Sequence, residues 1–247
     1  MVRNYFDERI AKTYEARWPE VADPAVVEPI VDFLAQLAGA GPVLELAIGT
    51  GRIALPLSRR GVPVHGIELS AAMVDEMRTK PGAEKIGVTI GDMAFTRVDK
   101  TFKLVYLVAN SIANLTSQDA QVACFENAVA HLAPGGAFVI ELYIPALRRL
   151  PPGQTVVPFS LTPTHLGFEE YDVANQIAYS HHYWRLDGQW DTLSAPFRYV
   201  WPSELDLMAR IAGLSLRERW ANWIRDPFTS ESTRHVSVWE KNATRDL

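Results

Sequence analysis

The sequence is short of cysteine, of positive charge and of long apolar runs. Cys124 is the single cysteine in 247 residues, so no disulfide forms within the chain, and its place in the helical pattern "AQVACFENAV" marks it as a packed thiol. No uninterrupted apolar run approaches the roughly 18 residues of a membrane span, and no basic leader followed by an apolar stretch opens the chain. A soluble protein of a reducing, cytoplasmic compartment is expected, with no membrane partner. Lys and Arg number 24 against 29 Asp and Glu, for a net charge of −5. They are scattered without a basic run, which argues against nucleic acid as a partner. No metal site is expected. What is plentiful is apolar surface: 48% of the residues are hydrophobic, enough for one large domain with an elaboration.

The apolar residues follow an ordered alternation. After an N-terminal helical segment, "NYFDERIAKTYEARWPE", the chain restarts at Asp23-Pro24 as a helix whose apolar face carries Val26, Ile30 and Leu34, and "GAGP" ends it. Strand 43–47 then leads to helix 52–60, strand 63–68 to helix 71–79, and strand 86–90 follows. Strand 103–109, helix 117–132, a "PGG" turn at 134–136 and strand 137–143 complete the series. Buried strands alternating with helices indicate an α/β fold with a parallel sheet covered on both faces. Thr116 with Asp119, and Ser203 with Asp206, have the spacing of capping boxes. In helix 117–132, Val122, Phe125, Val129 and Leu132 share one face and read as core.

From 144 to 201 the pattern changes to prolines and aromatics. "DG" at 187–188 sits between two aromatic-rich segments as a hairpin turn, so a small antiparallel sheet is expected here. A helix at 203–212 and strands near 215–220 and 234–240 return the chain to the main fold. Three regions result: 1–143, an inserted 144–201, and 202–247 completing the core.

The chemistry concentrates at "VLELAIGTGRIALPL", residues 43–57. "GTGRIA" fits G-x-G-x-x-A, and Glu68 ends the next strand 17 residues after Gly51, the pattern of a dinucleotide loop with an acid for the ribose diol. Glu45, inside the strand, opposes that reading. A pyrophosphate about 6 Å from a carboxylate would meet a repulsion of roughly 3 kcal/mol at an effective dielectric near 20. A cationic ligand without phosphate would gain instead.

"LELAIGTG", "GIELS" and "GDM", in this order, resemble the first three motifs of the class I S-adenosylmethionine-dependent methyltransferases. The resemblance covers about residues 5–143 plus the final helix and strands. It implies a doubly wound, Rossmann-like sheet of seven strands in the order 3-2-1-4-5-7-6, strand 7 antiparallel, with S-adenosyl-L-methionine as cofactor. It also assigns the donor site. Glu45, Ala47, Gly49 and Gly51 would surround the methionine moiety, with Ala47 where the family usually has glycine. Glu68 would accept from both ribose hydroxyls, where a glutamine could keep one of the two bonds. Leu69 would pack on the adenine, Asp92 accept from its amino group, and Met93 meet the ring through its backbone. Asn110 would line the methionine end, and Tyr14 would fold over the cofactor from an N-terminal helix.

Methyl transfer from a sulfonium needs alignment of nucleophile, methyl and sulfur, and a base only for a protonated acceptor. Glu141 and Tyr143, ending "FVIELY", stand where the crevice of an α/β sheet opens. His181 and His182, in "YSHHYW", fall on opposite faces of a strand, so one of them at most faces the site and could take a proton. Each of these residues also reads as ordinary structure. The aromatics of 168–201 suit an apolar acceptor chamber or a homodimer contact. The expected activity is methyl transfer to nitrogen or oxygen of a small-molecule acceptor. An RNA or protein methyltransferase, an NAD-dependent oxidoreductase and a non-catalytic cofactor-binding protein stand as alternatives.

Overall fold

The structure, a computed structural model, describes residues 4–186 and 188–241. The chain enters through helix α1, Glu8–Arg17, capped by Asp7, whose side chain accepts from the Ile10 amide. Helix α2, Pro24–Ala38, starts at Pro24 behind the capping side chain of Asp23 and ends at Gly39, whose φ of 55° lies in the left-handed region. Proline at a first helical turn and glycine just past the last are the positions each tolerates best.

Seven strands then build the main sheet. They are β1 (Val43–Leu46), β2 (Val64–Glu68), β3 (Gly87–Ile90), β4 (Phe102–Leu107), β5 (Leu132–Tyr143) and, after the insert, β10 (Leu214–Trp220) and β11 (Arg234–Lys241). Their spatial order is β3-β2-β1-β4-β5-β11-β10. β11 runs antiparallel to both of its neighbours, and β1, β2, β3, β4 and β5 are parallel. This is the order 3-2-1-4-5-7-6 that the resemblance implies. Helices α3 (Ala54–Arg59), α4 (Ala71–Arg78), α5 (Gln118–His131) and α6 (Pro202–Ile211) connect the strands. Successive strand residues feed opposite core layers: Val43 packs with the α2 and α3 residues, and Leu44 with those of α5 and α6.

The insert is a second, four-stranded antiparallel sheet of β6 (Val156–Leu161), β7 (His165–Asp172), β8 (Ile177–Leu186) and β9 (Gln189–Arg198), in that spatial order. β8 and β9 pair as far as Leu186 opposite Gln189. Gly188 has φ 80°; Asp187, the other residue of the expected "DG" turn, lies outside the described residues.

Three local expectations are corrected. The cap of α5 is Ser117, whose hydroxyl accepts from the Ala120 amide, not Thr116. α6 begins at Pro202 with no side-chain cap. Asp206 binds the Arg219 guanidinium and accepts from the Trp239 indole at 2.9 Å, so its carboxylate ties α6 to β10 and β11 rather than serving the helix end. "PGG" at 134–136 belongs to β5, because Leu132 already pairs with Phe102 and the irregularity is absorbed within the strand.

Candidate active site

The site opens at the carboxyl ends of β1, β2 and β4, where an α/β sheet offers its crevice. The turn after β1 depends on left-handed backbone at Ala47 (φ 57°), Gly49 (56°) and Gly51 (74°). Ala47 thus holds the conformation for which glycine is suited, a conformation that costs an alanine roughly 1–2 kcal/mol. At Gly51 a Cβ would lie 2.6 Å from the Met77 side chain. That glycine lets α4 close on the loop and is not among the residues lining the cleft.

Glu68, buried at the end of β2, organises the same turn. Its Oε2 accepts from the Gly49 amide at 2.8 Å and its Oε1 from the Ser70 amide at 2.9 Å. Burial raises its pKa, and those amides oppose the shift. A carboxylate has about four lone-pair positions, so two remain for a ligand diol. Glutamine at 68 would point its NH2 at one of the two amides, a cost that sets itself against the ribose bond it could keep.

Glu45 and Tyr106 are opposite one another on β1 and β4. The Tyr106 hydroxyl donates to Glu45 Oε2 at 2.9 Å, and both side chains are buried. Burial pushes the Glu45 carboxyl up to about 8; the Tyr106 hydroxyl and the Arg52 charge oppose the shift, and Glu68 adds to it. This corrects the physical reasoning from sequence. Glu45 does not present a standing negative charge to exclude a phosphate; it is a buried acid whose ionisation a neighbouring cation would favour.

Beside this floor lies a slot of about 80 Å³ lined by Phe6, Ile67, Leu69, Asp92, Met93 and Leu115 among others. Asp92 turns the chain by accepting from the Ala94 amide at 2.8 Å. The slot's outer wall is held by α5: buried Asn127 donates to the Met93 carbonyl at 2.6 Å and the Thr96 carbonyl at 3.1 Å.

Past β4, Ala109 and Asn110 are both left-handed, with φ 53° and 63°. Glu141, buried on β5, accepts from the Ala109 amide at 3.0 Å, so its carboxylate supports this turn and does not itself line the cleft. Asn110 accepts from the Tyr143 amide at 3.3 Å, and Asn110 and Tyr143 both line the cleft.

A single cleft of about 750 Å³ joins Glu45, Ala47, Gly49 and Glu68 at the main sheet to Phe159, His165, Glu169, Ser180 and His182 on the inserted one. α1, with Tyr14 and Arg17, and Trp18 just past its end close the side of the cleft. His182 is bound through both ring nitrogens, Nδ1 to His165 Nε2 at 3.0 Å and Nε2 to the Ser180 hydroxyl at 3.1 Å. Burial first, then the neighbouring His165, His181 and Arg17, lower its pKa to about 4. His181 lies on the other face, stacked on Phe168 and bonded to Ser194 at 2.8 Å, and does not line the cleft. Arg17, Trp18, Tyr106 and His165 carry no motif of their own in the sequence; the "YEARW" run beside Tyr14 is the one signal pointing to the first two.

The sequence model of the methyltransferase domain family matches residues 43–136. The solved structure of the CcbJ methyltransferase from Streptomyces caelestis is 36% identical and superposes with a TM-score of 0.87 over 98% of this chain and 100% of that one. This chain belongs to the class I S-adenosylmethionine-dependent methyltransferases. It is also 25% identical, over 81% of its length and 82% of the relative's, to a cypemycin N-terminal methyltransferase from Streptomyces. The fold is shared with a SAM-bound amino pentose methyltransferase from Micromonospora echinaspora, CalS10, at TM-score 0.72, 20% identity, and 93% and 96% coverage of the two chains. The enzyme is thus a methyltransferase using S-adenosylmethionine. Among the described residues, no helix is long and apolar enough to cross a membrane and no metal-binding cluster occurs.

Proposed function

We propose that this methyltransferase transfers the methyl group to the nitrogen of a small-molecule amine held between the main sheet and the inserted one. The observation that carries this is the continuous cleft from Glu45 and Glu68 to Ser180 and His182. A long, partly enclosed chamber beside the donor site suits a compact acceptor, and the relative named as an N-terminal methyltransferase favours nitrogen.

The donor side fits the cofactor by its chemistry. A buried acid at Glu45 suits a cation, the two remaining lone-pair positions of Glu68 suit a diol, and the apolar slot with Asp92 at its rim suits a purine with an exocyclic amine. When bound, S-adenosylmethionine supplies a methyl group on a positively charged sulfur that is already a good leaving group. The chain's residues then orient and enclose: Tyr14, Asn110 and Tyr143 border the passage between donor end and chamber, and Phe159 and Trp18 exclude water. His182, held neutral and bound on both sides, fixes the chamber wall and is a weak base. Residues 45–69 and 91–93 serve the donor, and the inserted sheet, with Arg17 and Trp18 beside it, walls the acceptor chamber.

A panel of primary and secondary amines, alcohols and phenols, incubated with enzyme and S-adenosylmethionine and followed by S-adenosylhomocysteine release and product mass, tests this. Turnover of amines with products 14 mass units heavier is expected. Turnover confined to alcohols or phenols overturns the nitrogen assignment.

A further inference from the structure

The corner where α1 meets the inserted sheet holds two buried donors without an acceptor. Arg17 is 8% exposed. Its Nε donates to the Thr13 hydroxyl at 2.6 Å, its Nη2 to Asp191, and its guanidinium carbon lies 4.5 Å from the centre of the Trp184 ring. Its Nη1 has no hydrogen-bond partner among the described residues, and neither has the indole Nε1 of Trp184, which is 4% exposed. Arg17 lines the large cleft; Trp184 is stacked on His182, another lining residue, with ring centres 4.8 Å apart.

Native proteins pair almost all buried donors, and one left unmet costs roughly 1–3 kcal/mol, more for a charged group. The charge count at this corner points the same way. Asp191 is shared by Arg9 and Arg17, two guanidiniums against one carboxylate. What is missing is an oxygen that accepts hydrogen bonds, with negative charge welcome.

We propose that Arg17 and Trp184 form a subsite for a carboxylate or amide carbonyl of the acceptor, attached beside the amine that is methylated. This rests on the amine-methylating function proposed above and narrows it to amino-acid-type or peptide-type amines. Hydrogen bonds from the free guanidinium N–H and from the indole N–H to the oxygens of that group would anchor that end of the acceptor at the chamber wall, leaving its nitrogen directed along the cleft toward Asn110 and the donor. A bare alkylamine would leave both donors unmet.

The test compares L-leucine, L-leucinamide and 3-methylbutylamine on enzyme saturated with S-adenosylhomocysteine, by calorimetry and by the Trp184 indole N–H resonance, assigned by its loss in Trp184→Phe. The wild type is expected to bind the first two about tenfold or more tighter than the third, with movement of that resonance. A preference for leucine marks a carboxylate and a preference for leucinamide a carbonyl, both within the proposal. Arg17→Met should bring the ratio near one. Trp184→Phe, which keeps an aromatic ring and removes the donor, should lower it severalfold and carries the test if Arg17→Met disturbs α1. Equal binding of the three amines, or an indole resonance unmoved by any of them, overturns the subsite. Failure of S-adenosylhomocysteine itself to bind would instead overturn the donor-site assignment on which the subsite rests.

Discussion

The Glu45–Tyr106 pair joins sheet register to ligand chemistry. Parallel pairing of β1 with β4 sets the two residues opposite one another, and burial leaves the acid with one strong donor, the tyrosine hydroxyl. With its pKa near 8, Glu45 keeps its proton most of the time at pH 7 without ligand. Binding of the cationic donor should expel that proton, so affinity should rise with pH, by at most about tenfold per unit, and level off above about 8. Calorimetry in buffers of different ionisation enthalpy would show the proton release, and Glu45→Gln should abolish it and weaken binding. Without ligand the sign is reversed. A carboxyl whose folded pKa is raised adds stability that is complete below its ordinary 4.5 and is lost as pH rises through about 8. Melting curves between pH 5 and 8.5 should therefore fall more steeply for the wild type than for Glu45→Gln. Ala47 offers a separate test. Its φ of 57° strains an alanine, so Ala47→Gly should raise unfolding free energy by about 0.5–1 kcal/mol in urea titrations, part of the relief being offset by the lost methyl.

At the scale of elements, α1 bridges the two halves of the site. Glu15 pairs with Lys80 and accepts from the Thr50 hydroxyl at 2.8 Å on the donor side; Arg9 and Arg17 hold Asp191 on β9, and Trp18 packs edge-on to His182 and Trp184. Asp191→Ala leaves the buried Arg17 charge without its counterion, so amide exchange should accelerate through residues 8–18 while β4 and β5 stay protected, as deuterium uptake by mass spectrometry would show. The sequence revealed the part of this arrangement that is local. The β1 motif, Glu68 and the "GDM" turn were legible because apolar runs, glycines and strand-end acids lie within a few residues of one another. Arg17 was not, since its partner Asp191 stands far along the chain and only the fold brings the two together. α5 gives the same lesson: the Val122–Phe125–Val129 stripe suggested plain core, but the buried face also carries Gln121, Asn127 and His131. Gln121 binds Arg198 and Asn127 holds the Met93 loop, roles set by partners that periodicity does not show.

For the whole molecule, two sheets with different local physics meet at one cleft. The central strands of the main sheet are buried on both faces and its turns are fixed by backbone-to-carboxylate bonds at Glu68 and Glu141, which suits an invariant cofactor. The inserted sheet is narrower, with Val157, Tyr171, Ala178 and Tyr199 forming its own small core, and it brings Phe159, His165, Ser180 and His182 to the cleft. Substitutions on the two sheets should therefore separate donor from acceptor effects. Glu68→Ala removes the acceptor for the Gly49 and Ser70 amides as well as any ribose contact, and S-adenosylhomocysteine affinity should fall tenfold or more, by roughly 1.5–3 kcal/mol. Phe159→Ala should leave that affinity within about threefold and raise the acceptor KM, because the ring belongs to the inserted sheet and walls the chamber against His182 with centres 5.1 Å apart. His182→Ala tests proton transfer in the same series. A catalytic base would cost about 10²–10⁴ in kcat, recovered partly at high pH. A neutral wall residue bound to His165 and Ser180 should change mainly KM, with an unchanged pH profile for kcat. A loss of kcat restored by raising the pH would return His182 to the chemistry. Donor affinity falling equally across Phe159, His182 and Glu68 variants would show that the two sheets share the cofactor.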